Sequence, residues 1–201
     1  MFASAAAFAL TSVLIELTPG PNMAYLALIA ATEGRRPGYA AVAGVALGLG
    51  IMGLAATLGL AVVIQNQPLA YQALRWAGVA YLVWLAWDGW REAGAGSGHA
   101  PPGSSLALYF RRGLVTNLLN PKAAIFYVTV LPEFLSGPGG VAEPLVLSAI
   151  YVAVATAIHA AIVTAAGAAR VWLEDPARTR TVRRGLAVAL VGVAVWVIWK
   201  S

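Results

Sequence analysis

Two polar clusters interrupt runs that are otherwise apolar. Thr18-Pro19-Gly20-Pro21-Asn22 falls inside the run 2–32, and Asn117-Leu118-Leu119-Asn120-Pro121-Lys122 inside the run 113–135. Proline has no amide N–H and clashes with the carbonyl four residues back. Pro19 therefore releases the carbonyl of Ile15, Pro21 that of Leu17, and Pro121 that of Asn117. In lipid such carbonyls are tolerated only where protein or a water-filled cavity satisfies them. A helix that restarts after a break offers N–H groups and a positive dipole end to a carboxylate. Released carbonyls suit an ammonium. Two Pro-interrupted spans in corresponding places point to a transporter site at a repeat interface, where Pro19, Gly20, Pro21 and Asn22 are expected to meet Asn117, Asn120, Pro121 and Lys122 near the membrane midplane. The competing use of the prolines is to kink two helices for packing.

The ionisable residues within apolar runs are few. Lys122 can hold a substrate carboxylate, pair with Glu16, cap a broken helix or snorkel to the interface. Glu16, two residues before the first break, is a candidate proton carrier; its alternative is a salt bridge with Lys122 or an arginine. His159 stands within an apolar run, and an imidazole with an ordinary pKa of roughly 6.5 suits a proton relay. A neutral packing residue is its other reading. Asp88 has Arg91 three residues on, the spacing of a surface helical pair. His99 carries no assignment.

The elements that must position these residues are membrane helices. Of 201 residues, 60% are hydrophobic and 10% charged, and the mean hydropathy is +0.78, against about 25% charged in a soluble domain. Six runs approach or exceed the roughly 20 residues needed to cross the hydrocarbon core: 2–32, 38–64, 69–90, 110–135, 143–169 and a shorter 184–200. Trp196 and Trp199 would anchor the last at the interface. Of Trp76, Tyr81, Trp84, Trp87 and Trp90 in the third, those at the ends read as interfacial and the central ones as packing. Ala40, Gly44 and Gly48, four apart, with Gly53 and Gly59 beyond, permit close backbone approach. Packing within one chain is the first use of that stripe, a homodimer face the second; Ala161, Ala165 and Ala169 form a similar strip. The apolar N-terminus lacks a basic flank and runs into a polar motif, so a removable signal peptide is not expected.

Ten arginines fall in the odd-numbered loops, whereas Arg75 and Lys200 are the basic residues of the other side. The positive-inside rule makes the odd loops cytoplasmic and both termini periplasmic. This distribution also explains a net charge of +5 without nucleic acid. The Gly/Ser/Pro-rich stretch 93–108 has linker composition and divides the chain into 1–92 and 109–201. Three spans on each side of the linker enter the membrane in opposite directions. The expected fold is thus an all-α membrane protein of six transmembrane helices, a 3+3 inverted repeat with Pro-broken first and fourth helices.

Three blocks carry a family resemblance. They are Leu17 to Asn22 with Gly34-Arg35-Arg36-Pro37-Gly38; Trp76 to Leu85; and Phe110 to Ala124 running on to Leu131-Pro132-Glu133-Phe134. In order and spacing they resemble the LysE/RhtB family of bacterial amino-acid exporters, over residues from about 10 to 135. The resemblance implies a multi-pass inner-membrane carrier that exports amino acids or close derivatives, driven by the proton-motive force. The family's first motif often ends in Asp where this chain has Asn22. Its fifth span often carries a polar residue about where His159 stands.

The expectation is alternating-access efflux of a small amino acid in exchange for protons. Neutral substrates of the threonine, homoserine or leucine type are favoured, because Lys122 would oppose a cationic side chain. The alternatives are export of another small metabolite or a metal ion by a related carrier, and an oligomeric channel. No cofactor or metal is expected, since the chain has no Cys and too few clustered carboxylates and histidines. Ser12 and Ser148 lack the setting of a nucleophile, so no enzyme is expected.

Overall fold

The computed structural model describes residues 2–18, 20–59, 68–94, 105–136, 140–169 and 176–199. Pro19, His99 and the centre of the expected linker lie outside these residues. Every element among the described residues is helical. α1 (Phe2–Glu16) and α2 (Pro21–Thr32) flank the first break, and α3 (Arg35–Thr57) follows a tight turn. α4 is Pro68–Gly94 and α5 Leu106–Leu118. α6 (Pro121–Ile125) continues through a π-helical turn, Phe126–Val130, into a 3₁₀ turn, Leu131–Phe134. α7 is Ala142–Ala169 and α8 Pro176–Trp199.

Local sequence explains where helices begin. Pro21 and Pro121 each occupy a first-turn position, where the missing N–H costs nothing and the fixed φ favours entry. Gly34 caps α3 at φ 100°, a left-handed value that favours glycine. α8 starts at Pro176, eight residues before the expected apolar run. Its first turns hold Arg and Ala, good helix formers after an N-terminal proline, so the helix extends beyond its hydropathy.

Among the described residues α3 and α7 are each long and apolar enough to cross a membrane, and two more spans follow if each bent pair counts as one. α1 and α2 meet at 63°, and α5 and the helix from Pro121 at 51°. α4 and α8, at 27 and 24 residues, have the length of a span, at roughly 1.5 Å per residue, but are not among the helices apolar enough to count as one.

α3 lies along α5 and α7; α1 and α2 lie along α7; α4 lies along α8 and touches α5 and α6; α2 also touches α3, α5 and α8; and the 3₁₀ turn touches α7. Exchanging α1–α2, α3 and α4 for α5–α6, α7 and α8 leaves this set of neighbours unchanged. Glycines set the closest approach. A Cβ on Gly44 would fall 2.0 Å from the carbonyl oxygen of Phe110, and one on Gly113 would fall 2.2 Å from that of Ala41. The stripe on α3 is thus used for packing within the chain. Ala161 and Ala165 on α7 face outward. In the centre, Phe126 stacks on Tyr151 with centroids 3.7 Å apart, and Phe8 meets Phe126 at a tilt and Phe134 edge-on.

Candidate functional site

At the first break the chain satisfies one of its two released carbonyls. The oxygen of Ile15 accepts the Thr18 amide at 3.1 Å and also the Thr18 hydroxyl. At the second, the oxygen of Asn117 accepts the Asn120 amide at 2.9 Å. These two carbonyls are therefore occupied, contrary to the expectation that they stand open to an ammonium. A one-turn tightening does this at either end, the usual way orphan groups of a helix terminus are met. The Asn120 side chain accepts the Lys122 amide at 3.1 Å and so caps α6, a use that follows from the preference of Asn for this position.

The two breaks touch, through a crossed pair of contacts. Asn22 and Lys122 each stand one residue after the proline that opens their helix. Asn22 Nδ2 donates to Asn117 Oδ1 at 2.9 Å. Lys122 Nζ donates to the carbonyl of Thr18 at 2.8 Å. Each restarting helix thereby reaches the end of the other's broken partner. Gly20 leaves room for this: a Cβ there would lie 3.2 Å from Lys122 Cδ. Gly48 of α3 does the same for Asn117, whose Nδ2 a Cβ would approach to 2.8 Å. Asn117 Nδ2 also points to the Met52 sulfur at 3.6 Å. Asn22, Asn117 and Asn120 are all buried, and Asn22 Oδ1 has no hydrogen-bond partner among the described residues.

Beside the first break lies a buried acid–base group. Glu16 Oε1 accepts the Tyr151 hydroxyl at 2.7 Å, and Glu16 Oε2 lies 3.3 Å from His159 Nε2. The second contact has ion-pair distance without hydrogen-bond alignment, and neither ring nitrogen of His159 has another partner among the described residues. Glu16, Tyr151 and His159 are 5%, 0% and 1% exposed. α1 supplies the carboxylate, and α7 supplies both partners, eight residues or about two turns apart on one face. Glu16 thus pairs with His159, not with Lys122, which instead caps the first break.

Two residues escaped the sequence reading. Tyr151 is one; a tyrosine within an apolar helix carries no pattern of its own, and only the approach of α1 to α7 gives it Glu16. Arg112 is the other. It reads as one of a pair of loop arginines, but it lies in the second turn of α5, with Nη2 donating to Asp88 Oδ2 at 2.7 Å. Asp88 therefore pairs across to α5 and not, as its spacing suggested, with Arg91. Trp84 lies under Arg112, 5.2 Å from the guanidinium carbon to the ring centroid. Trp90 lies similarly under Arg184, at 5.0 Å.

Broken apolar helices, joined through buried polar side chains at their breaks, are the arrangement expected of a membrane carrier. The family profile described as LysE type translocator matches residues 13–201. The chain belongs to that family. It is 31% identical to a homoserine/homoserine lactone efflux protein of Salmonella typhimurium over 190 residues, 92% of each chain. It is 35% identical to a leucine efflux protein of an Enterobacter species over 126 residues, 60% of this chain and 58% of that protein. An uncharacterized membrane protein of Pseudomonas aeruginosa is 27% identical over 94% of this chain and 91% of its own length. No solved structure matches.

Proposed function

We propose that this chain is a secondary carrier exporting a small neutral amino acid or a close derivative across the bacterial inner membrane, driven by the proton-motive force. The carrying observation is the crossed contact between the two breaks, with Glu16, Tyr151 and His159 beside it. Relatives named for homoserine, its lactone and leucine support a substrate of that size.

The substrate occupies the junction formed by Gly20, Pro21 and Asn22 with Asn117, Asn120, Pro121 and Lys122. Breaking the Asn22–Asn117 bond frees an amide donor and an acceptor for substrate polar groups. Binding energy replaces an interaction the empty protein already makes, so the junction exists in a closed and an opened form. Glu16 and His159 carry the proton: a carboxylate held between a phenol and an imidazole can take up or pass one proton without leaving its place. Alternating access arises because 1–92 and 109–201 form an inverted 3+3 repeat of six spans, and one half rocks on the other around the junction. The exchangeable set of helix neighbours supports this symmetry.

The test is efflux from proteoliposomes loaded with a mixture of amino acids under an imposed pH gradient. Gradient-dependent loss of a few neutral amino acids is expected, with little loss in N117A protein that inserts normally. Unselective loss, or none from well-inserted wild-type protein, overturns the reading.

A further inference from the structure

We infer that Arg112 is the docking point for the substrate's carboxylate at the cytoplasmic entrance, held ready by an exchangeable ion pair with Asp88. The inference rests on the exporter reading above and adds a second binding position to it.

Lys122 is the sequence's obvious carboxylate partner, but its ammonium already holds the Thr18 carbonyl. Arg112 is differently placed. Nε–H and Nη2–H form one edge of a guanidinium, the fork that receives a carboxylate with two parallel hydrogen bonds. Asp88 uses half of that edge, through Nη2 alone. Arg112 Nε is buried and has no hydrogen-bond partner among the described residues. Nearby on α2, Tyr25 is 1% exposed and its hydroxyl is likewise without a partner; Arg112, Tyr81, Tyr109 and Asp88 are its ionisable neighbours. A buried polar atom left unpaired is costly. Here two such atoms stand by an ion pair that is itself accessible, with Arg112 and Asp88 side chains 19% and 28% exposed.

The position fits a path. Arg112 precedes Asn117 on α5 by five residues, about 7.5 Å along the axis, and Tyr25 follows Asn22 on α2 by three. Both lie on the side of the junction that the arginine distribution makes cytoplasmic. A carboxylate arriving from that side displaces Asp88, completes the guanidinium edge and leaves the substrate's other end towards Asn22 and Asn117. Trp84, stacked on Tyr81 and lying under the guanidinium, holds the fork in plane.

The test compares uptake at the cytoplasmic face of proteoliposomes for leucine against leucine methyl ester and for homoserine against homoserine lactone. The ester and the lactone lack the carboxylate. R112Q should raise the KM of the acids by about 10- to 100-fold, the loss of hydrogen bonds to a charged group, and leave the ester and lactone near wild type. D88N removes the competing carboxylate and should lower the KM of the acids. If R112Q fails to insert, D88N decides: a raised or unchanged KM overturns the inference. Equal losses for acid and ester in R112Q, or a D88N protein impaired for both, mark a purely structural ion pair and also overturn it. Wild-type protein that carries neither acid nor ester overturns the exporter reading itself, a result distinct from these.

Discussion

At the scale of single residues, the polar side chains at and beside the breaks make contacts that can be tested one at a time. Asn120 caps α6. N120A should destabilise the protein by about 1 kcal/mol, read as a lowered midpoint in thermal unfolding in detergent, and N120D should recover most of it because Asp caps equally well. Failure of N120D to recover the midpoint would mean that the amide, not the cap, is needed. Glu16 carries the proton in the proposed cycle. E16Q should abolish efflux driven by a pH gradient while exchange of internal for external substrate persists, as counterflow of labelled leucine would reveal. Gradient-driven efflux by E16Q at the wild-type rate would remove Glu16 from coupling. The sequence exposed Glu16, Lys122 and His159 as candidates because charge and imidazole are rare in apolar runs. It could not pair them. Glu16 meets His159 and Tyr151 because α1 lies on α7, and Lys122 meets Thr18 because the breaks cross. Both are facts of packing between residues more than a hundred positions apart.

At the scale of elements, proline and glycine placed the structure and hydropathy sized it. Pro21 and Pro121 open the helices that restart, and the bends of 63° and 51° follow at those points. The breaks were legible because each proline removes a donor at a known place. The π-helical turn at Phe126–Val130 was not legible. It arises where Phe126 must stack on Tyr151 and the Tyr127 hydroxyl must reach the Leu49 carbonyl, at 2.8 Å, a pair of demands invisible in one helix's sequence. The length of α8 was also underestimated, since Pro176 and the arginines continue a helix that apolarity alone would start later. The α3 glycines can be tested one at a time. G44A must push α3 from the α5 backbone and should cost about 1–3 kcal/mol. G48A meets the Asn117 side chain instead and should lower transport more than stability. G50A, where a Cβ would meet nothing within 4 Å, should change neither. Equal behaviour of G48A and G50A in transport would argue that the position of Asn117 is unimportant.

At the scale of the whole molecule, the central claim is that two similar halves share one site. The arginine distribution predicts how they sit in the membrane, and the absence of Cys makes single-cysteine labelling clean. V141C should react with an impermeant thiol reagent applied to intact cells. R36C, exposed in the first turn of α3, should react only after the membrane is opened. The reverse pattern would invert the proposed direction of entry and put Arg112 on the exit side. The overall helical plan was readable from apolar runs. The joining of the breaks was an expectation that no local pattern could supply, because it depends on which helix ends face each other. The measurement that tests it most directly is a double-mutant cycle on Asn22 and Asn117, read as the KM for substrate in counterflow. If the breaks act as one site, N22A and N117A each weaken binding and the double variant is little worse than either, a coupling of about 0.5–3 kcal/mol. Effects that simply add, or a KM unmoved by either change, would contradict a shared site.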